Sequence, residues 1–263
     1  MKKYSCLLSS LALAGSALFG SGCGAAVLSD EGLARQAGSQ FNQMKKRERI
    51  STNAAHNTMI QRIGKRITDV AEVDVPGTEW EFVVFQKSEP NAFAMPGGKV
   101  GVNSGLITLS EGNEDEVAAV VGHEIAHVAF RHSNKRMSQA IGLALGGVVL
   151  NTAMRNKSNQ DRQIARGVYG AGATLGVALP FSRSQEREAD HRGLYYAAMA
   201  GYDPRASVSF WKKMQAKSKS RMPEFLSTHP DSGNRIEFLQ ANMDRALALY
   251  REAKAARGEI PNP

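Results

Sequence analysis

Three rhythms of apolar and polar positions divide the chain. From Asp30 to about Ala71 the sequence is polar and basic, with Met59, Ile60, Ile63 and Ile67 at helical spacing, which predicts one or two helices. Residues 79–85 (Glu-Trp-Glu-Phe-Val-Val-Phe) switch to aromatic and β-branched character, and 91–95 and 99–103 flank a Pro96-Gly97-Gly98 turn. The switch predicts a small antiparallel sheet containing a hairpin. Helical spacing returns from Glu114 to about His132. Asn113 is placed to cap that helix, Glu116 to complete a capping box, and the acids of the first turn suit its positive end.

Between residues 140 and 180 two glycine-rich apolar stretches, Ala140 to Leu150 and Val168 to Pro180, flank the charged segment Asn156 to Arg166. Neither reaches the roughly 20 apolar residues that a bilayer span needs. They fit either a buried helix pair softened by glycine, or a mobile lid or membrane-facing hairpin. Ser184 to Ala200 then reads as a helix stopped by Gly201, Asp203-Pro204 opens another to about Lys217, and a last helix runs from about Gly233 to Ala256. The fold class is α+β, a mainly helical domain with a small sheet. It is expected over residues 46–250, after a tether and helix start at 23–45 and before a flexible tail at 251–263.

Composition narrows the class of protein only modestly. The 263 residues, 42% hydrophobic and 22% charged, suit an ordinary globular chain with a sizeable core. The net charge is +8, and with no arginine-rich run, finger spacing or stacking aromatics it suits anionic lipid or an acidic partner and not nucleic acid. Lys2 and Lys3, the apolar run Cys6 to Phe19 and the small residues Gly20, Ser21 and Gly22 read as an export signal over residues 1–22. Its removal leaves Cys23 as the one cysteine, so no internal disulfide forms. Cys23 resembles the lipid-acceptor cysteine of bacterial lipoproteins, although Gly20 stands where a leucine-like residue is usual. Two acyl chains there would hold the membrane durably. Without an Asp after Cys23, the resemblance implies the periplasmic face of the outer membrane; the alternative is a soluble periplasmic protein with an incidental cysteine.

The chemistry lies in His123-Glu124-Ile125-Ala126-His127. Residues four apart share a helical face, so both imidazoles can meet one ion, and Glu124 stands beside the first ligand as a candidate base for activating water. Composition alone would give this pentapeptide in on the order of one chain in a hundred. A third ligand is available in Glu186, with Asp190 one helical turn later to accept a hydrogen bond from the free nitrogen of a ligating histidine. Glu188 points elsewhere, to the surface. Two histidines and one carboxylate leave a fourth position open for water, the pattern of a catalytic zinc site.

These motifs, with Asn91-Ala92-Phe93, Gly201-Tyr202-Asp203-Pro204 and Ser227-Thr228-His229-Pro230, resemble the HtpX and CAAX-prenyl-protease family of gluzincins over about residues 50–245. Its periplasmic and lipoprotein members, together with its mitochondrial quality-control member, are the nearest in pattern. The resemblance implies a zincin-like fold, one Zn2+ per chain on His123, His127 and Glu186, Glu124 as base, and support from Asp190. It also brings in His229, which either stabilises the oxyanion or closes the site as a fourth ligand, and Arg235, which orients His229 or binds substrate. Asn91, Ala92 and Phe93 would lie on the cleft edge that pairs with substrate. His56, His132 and His191 fit no ligand spacing and read as solvated or structural. The implied activity is endopeptidase cleavage of misfolded or flexible envelope proteins, with outer-membrane assembly machinery as a candidate partner. A non-catalytic chaperone using the same cleft, and a zinc esterase or amidase acting on cell-wall material, are the rivals.

Overall fold

The computed structural model describes residues 29–165, 167, 181–219, 223–230 and 233–260. The export signal, Cys23 and the stretch Val168 to Pro180 lie outside the described residues, so the expectations placed there have no structural counterpart. The described parts of residues 37–133 and 180–263 form one compact unit, and those of 1–36 and 134–179 another.

Helix α1 (Asp30–Arg47) sets Leu33, Ala37 and Phe41 four apart, and all three are buried. Acids in its first turn and Lys45, Lys46 and Arg47 in its last match the helix dipole. The helix begins at Asp30, where the apolar spacing placed the start of the first helix. Asn53 caps α2 (Ala54–Ala71) by accepting the His56 N–H at 3.1 Å, and Ile60, Ile63 and Ile67 fill the core beneath it.

Strands β1 (Glu81–Phe85), β2 (Ala92–Met95) and β3 (Lys99–Asn103) form a sheet in the order β1-β3-β2. The β2–β3 hairpin is antiparallel as expected, but β1 runs parallel to β3, so the sheet is mixed. The cause is the segment between β1 and β2, which crosses the end of β3 before turning back. It is tied there by Gly105 N–H and Ser104 Oγ donating to Lys87 O (2.7 and 3.0 Å) and by Asn103 Nδ2 donating to Glu89 O (3.1 Å). A Cβ at Gly105 would lie 2.1 Å from the Ser88 carbonyl oxygen, so the crossing requires glycine.

Helix α3 (Ser104–Leu109) leads to α4 (Glu114–Ala129), whose cap is Asn113, accepting from Asp115 N and Glu116 N at 3.0 and 3.3 Å. The Glu116 side chain does not return to the cap; it is buried and meets Ser209 Oγ at 2.6 Å and Lys213 Nζ at 3.1 Å instead. Helix α4 stops three residues before its expected end. Arg131 adopts a left-handed backbone (φ 58), and α5 (His132–Ala153) begins at the next residue. In α5 only His132 and Ser133 are buried, while Leu145 and Val148 are 49% and 65% exposed. A buried helix pair does not describe this part of the 140–180 segment.

Helix α6 (Arg183–Met199) opens with a full capping box between Ser182 and Gln185 and stops at Gly201 (φ 81). Helices α7 (Arg205–Ser218), α8 (Glu224–Thr228), α9 (Arg235–Ala241) and α10 (Met243–Ala256) complete the described chain. The single C-terminal helix expected from the pattern is broken at Asn242, whose amide donates to Phe238 O at 2.8 Å. Residues 251–256 continue α10 beyond the buried Tyr250 and do not form a loose tail. Among the described residues, no helix is long and apolar enough to cross a membrane.

The contact that positions the site is between α4 and α6. A Cβ on Gly193 would stand 2.7 Å from the backbone of His123, and one on Gly122 2.8 Å from the Gly193 carbonyl oxygen. Two glycines thus bring the backbones together, with Ala126, Ala189 and Ala197 buried nearby.

Candidate metal centre

All of α4 from Glu116 to Val128 except Ala119 is buried, so its two histidines face protein and not solvent. Their spacing of one turn places His123 Nε2 3.0 Å from His127 Nε2. Across the glycine contact, α6 brings Glu186, whose Oε1 lies 3.3 Å from His127 Nε2 and whose Oε2 lies 3.6 Å from His123 Nε2. His229, at the end of α8, adds Nδ1 at 3.2 Å from His123 Nε2 and 3.1 Å from Glu186 Oε1. The four ligand atoms lie within 4.8 Å of one another, and all four residues are buried.

These separations are those of an ion's coordination shell. Donors bound tetrahedrally at 2.0–2.1 Å to zinc sit about 3.3–3.4 Å apart, and the separations given above run from 3.0 to 3.6 Å. Without a cation, several lone pairs would converge in a buried space with few protons to share among them. The protonation states suit ligation as well. Burial pushes His127 well below the usual imidazole range, which keeps it neutral. Burial also raises the Glu186 carboxyl, but His229, His127 and His123 more than reverse that, leaving it ionised. His123, His127 and Glu186, with His229 as fourth donor, would hold the ion.

The surrounding groups fix these side chains. His123 turns its Nδ1 to Asp190 Oδ1 at 3.0 Å, the contact anticipated for Asp190. Arg235, 1% exposed, spans the two carboxylates of α6: its Nη2 is 2.9 Å from Glu186 Oε2 and 2.5 Å from Asp190 Oδ1. Its guanidinium lies over the Trp211 ring at 3.6 Å. Phe181 stacks on His127 at 4.0 Å and Phe225 on His229 at 4.5 Å. Arg235 thus pairs with the Glu186 and Asp190 carboxylates and is buried with them.

Glu124 stands beside the ligand set without entering it. Burial raises its carboxyl above the usual range, against the pull of His229 and His123. It accepts the backbone N–H of Ala94, and its Oε1 lies 3.3 Å from His229 Nε2. His229 therefore has one nitrogen among the ligands and the other facing the candidate base. The corner expected to be open for water is taken by His229 Nδ1.

The edge strand needs a correction of register. The bond from Asn103 N to Asn91 O sets the alternation, so residues 91, 93 and 95 turn their backbone groups toward β3 and 92 and 94 turn theirs away. Of Asn91, Ala92 and Phe93, only Ala92 offers its backbone outward; Ala94 shares that edge. Phe93 stacks with Phe85 at 6.2 Å and over Gly101, on the face carrying Phe41. At Ala94 the carbonyl already accepts from Ser133 Oγ at 2.8 Å.

His132, read as solvated or structural, and Glu188, read as surface, meet behind the ligand set. His132 is fully buried, with Nδ1 3.0 Å from His127 Nδ1, and its Nε2 is 2.9 Å from Glu188 Oε2. The left-handed turn at Arg131, which brings His132 back to His127, has no signature in the sequence.

Comparison with known proteins agrees with this geometry. The sequence pattern described as peptidase family M48 matches residues 54–243. The chain is 35% identical over 183 residues to the mitochondrial metalloendopeptidase OMA1 of Arabidopsis thaliana, covering 69% of this chain and 36% of that one. Against OMA1 of Schizosaccharomyces pombe it is 36% identical over 184 residues, covering 69% and 51%. Against the beta-barrel assembly-enhancing protease of Escherichia coli it is 34% identical over 187 residues, covering 67% and 37%. The chain spans about a third to a half of the length of these relatives. With a buried His-His-Glu-His cluster on a mainly helical α+β frame and a family match over most of its length, the chain belongs to peptidase family M48.

Proposed function

We propose that this chain is a zinc-dependent endopeptidase of the bacterial envelope that cleaves misfolded or flexible proteins. The observation that carries the reading is the buried cluster of His123, His127, Glu186 and His229, set beside a buried carboxylate outside it. A bound zinc ion would supply Lewis acidity toward the scissile carbonyl and toward water. The protein's residues supply the rest. Glu124, its affinity for a proton raised by burial, takes the proton of the attacking water and passes it to the leaving amine. An extended peptide pairing along the outward edge of β2 would displace the Ser133 and Glu124 contacts of Ala94, and main-chain pairing of that kind selects flexible chains with little regard to sequence. His229 leaves its corner when substrate enters, which makes it a gate.

The envelope setting rests on the signal-like residues 1–22, on Cys23 as lipid acceptor and on the likeness to a protease named for beta-barrel assembly. Its partners would be unfolded envelope proteins, the outer membrane through the lipid, and outer-membrane assembly machinery. The rival is a chaperone using the same cleft. Casein digestion and metal analysis of wild type and Glu124→Gln separate the two. We expect about one zinc per chain in both, and cleavage lower by at least about 10²–10⁴-fold in the variant. Full complementation in cells by Glu124→Gln would favour the chaperone. His229→Ala keeps the ion and raises activity; a loss of activity would instead make His229 a participant in the chemistry.

A further inference from the structure

Outside the ligand set, a second histidine is built against the first. Arg131 breaks α4 with a left-handed residue, and the chain returns so that His132, the first residue of α5, faces the back of His127. The contact is Nδ1 to Nδ1 at 3.0 Å, and both rings are fully buried. The far nitrogen of His132, Nε2, reaches Glu188 Oε2 at 2.9 Å, and that carboxylate is 54% exposed. Phe130 stacks on the His132 ring at 5.6 Å and holds its plane.

The direction of the hydrogen bonds follows from the end of the chain. An ionised carboxylate only accepts, so His132 carries its proton on Nε2 and offers Nδ1 as an acceptor. The nitrogen facing it, His127 Nδ1, must then carry the proton, which leaves His127 Nε2 bare and aimed at the other ligand atoms. From this we infer that His132 and Glu188 are positioning residues, which fix the tautomer and ring orientation of His127 for metal binding. They act through His127 and touch neither substrate nor ion. The inference rests on the metal site proposed above. It gives the two imidazole ligands unlike supports, since His123 leans on Asp190 inside the protein and His127 on a relay that ends at the surface.

The test is metal affinity by chelator competition on the purified protein, with histidine ¹⁵N spectra of the zinc-loaded form. His132→Phe keeps the ring shape but leaves the His127 Nδ1–H buried without an acceptor. Removing such an outer partner is expected to weaken zinc binding by about 10–100-fold. Glu188→Ala should weaken it less, and Glu188→Gln, which keeps an acceptor oxygen, should restore much of the loss. In the spectra His132 should appear as the Nε2–H tautomer. Because Glu188 is half exposed, its two variants decide the matter even if His132→Phe does not fold. Wild-type affinity in Glu188→Ala, wild-type affinity in a folded His132→Phe, or a His132 protonated on Nδ1 would each overturn the relay. Wild-type protein that binds no zinc at all would overturn the metal site itself, so the two failures are distinct.

Discussion

Two of the places where glycine lies inside a helix of this protein put it to different work. In the α4–α6 pair, Gly122 and Gly193 mark the line where two backbones touch, and an added methyl at Gly193 would meet His123 backbone atoms at 2.7 Å. In α5, Gly142 has no atom within 4 Å of where its Cβ would be, and Leu145 and Val148 nearby are exposed. The first pair shortens the distance between a histidine helix and a carboxylate helix. The second only lowers the helical propensity of its own segment, by about 0.5–1 kcal/mol per glycine. A glycine in a helix therefore says little until the opposing surface is known.

Gly193→Ala should separate the regions most sharply. The methyl must push against backbone and not against the end of a flexible side chain, so metal-free protein should lose about 1–3 kcal/mol in urea unfolding. Zinc should also bind more weakly as Glu186 moves away from His123. Unchanged stability and affinity would mean that the close approach has no part in building the site. Asn113→Ala removes the cap of α4 and should cost about 1 kcal/mol in the same unfolding measurement. Gly142→Ala should do the opposite, slowing hydrogen exchange of α5 amides by the equivalent of about 0.5–1 kcal/mol and leaving cleavage unchanged. A loss of stability there would show that α5 packs against something at that point.

The smallest effect concerns pH. Glu114, at the start of α4, is held below the usual carboxylate range by its hydrogen bond to Arg62, which outweighs burial. A lowered carboxylate contributes stability above its unfolded value, and that contribution is lost as pH falls through the folded value. Glu114→Gln should thus cost about 0.5 kcal/mol at pH 7, the pair being partly exposed, with a difference that fades toward pH 3. A difference that grows on acidification would contradict this origin.

The features legible in the sequence are those that local spacing fixes. His123 and His127 four apart, Asn113 before a helical run and Glu186 four before Asp190 each state their geometry within a few residues. Fold class followed from the same periodicities. What escaped was decided across long separations or by a single backbone angle. Glu116 looked like a capping-box partner because Asn113 is three residues away, yet Ser209 and Lys213 on α7 take its side chain. The parallel pairing of β1 depends on where residues 86–91 cross β3. His132 and Glu188 looked unrelated because 56 residues separate them and a turn at Arg131 was needed to aim one at the other.

The last stretch of chain completes the cage. His229 lies 106 residues beyond His123, and Arg235 lies 112 beyond it. During synthesis, then, the two histidines of α4 emerge long before the groups that close around them. The four-donor cluster is therefore complete only once the segment carrying His229 and Arg235 has docked on α4 and α6, whatever the stage at which an ion arrives.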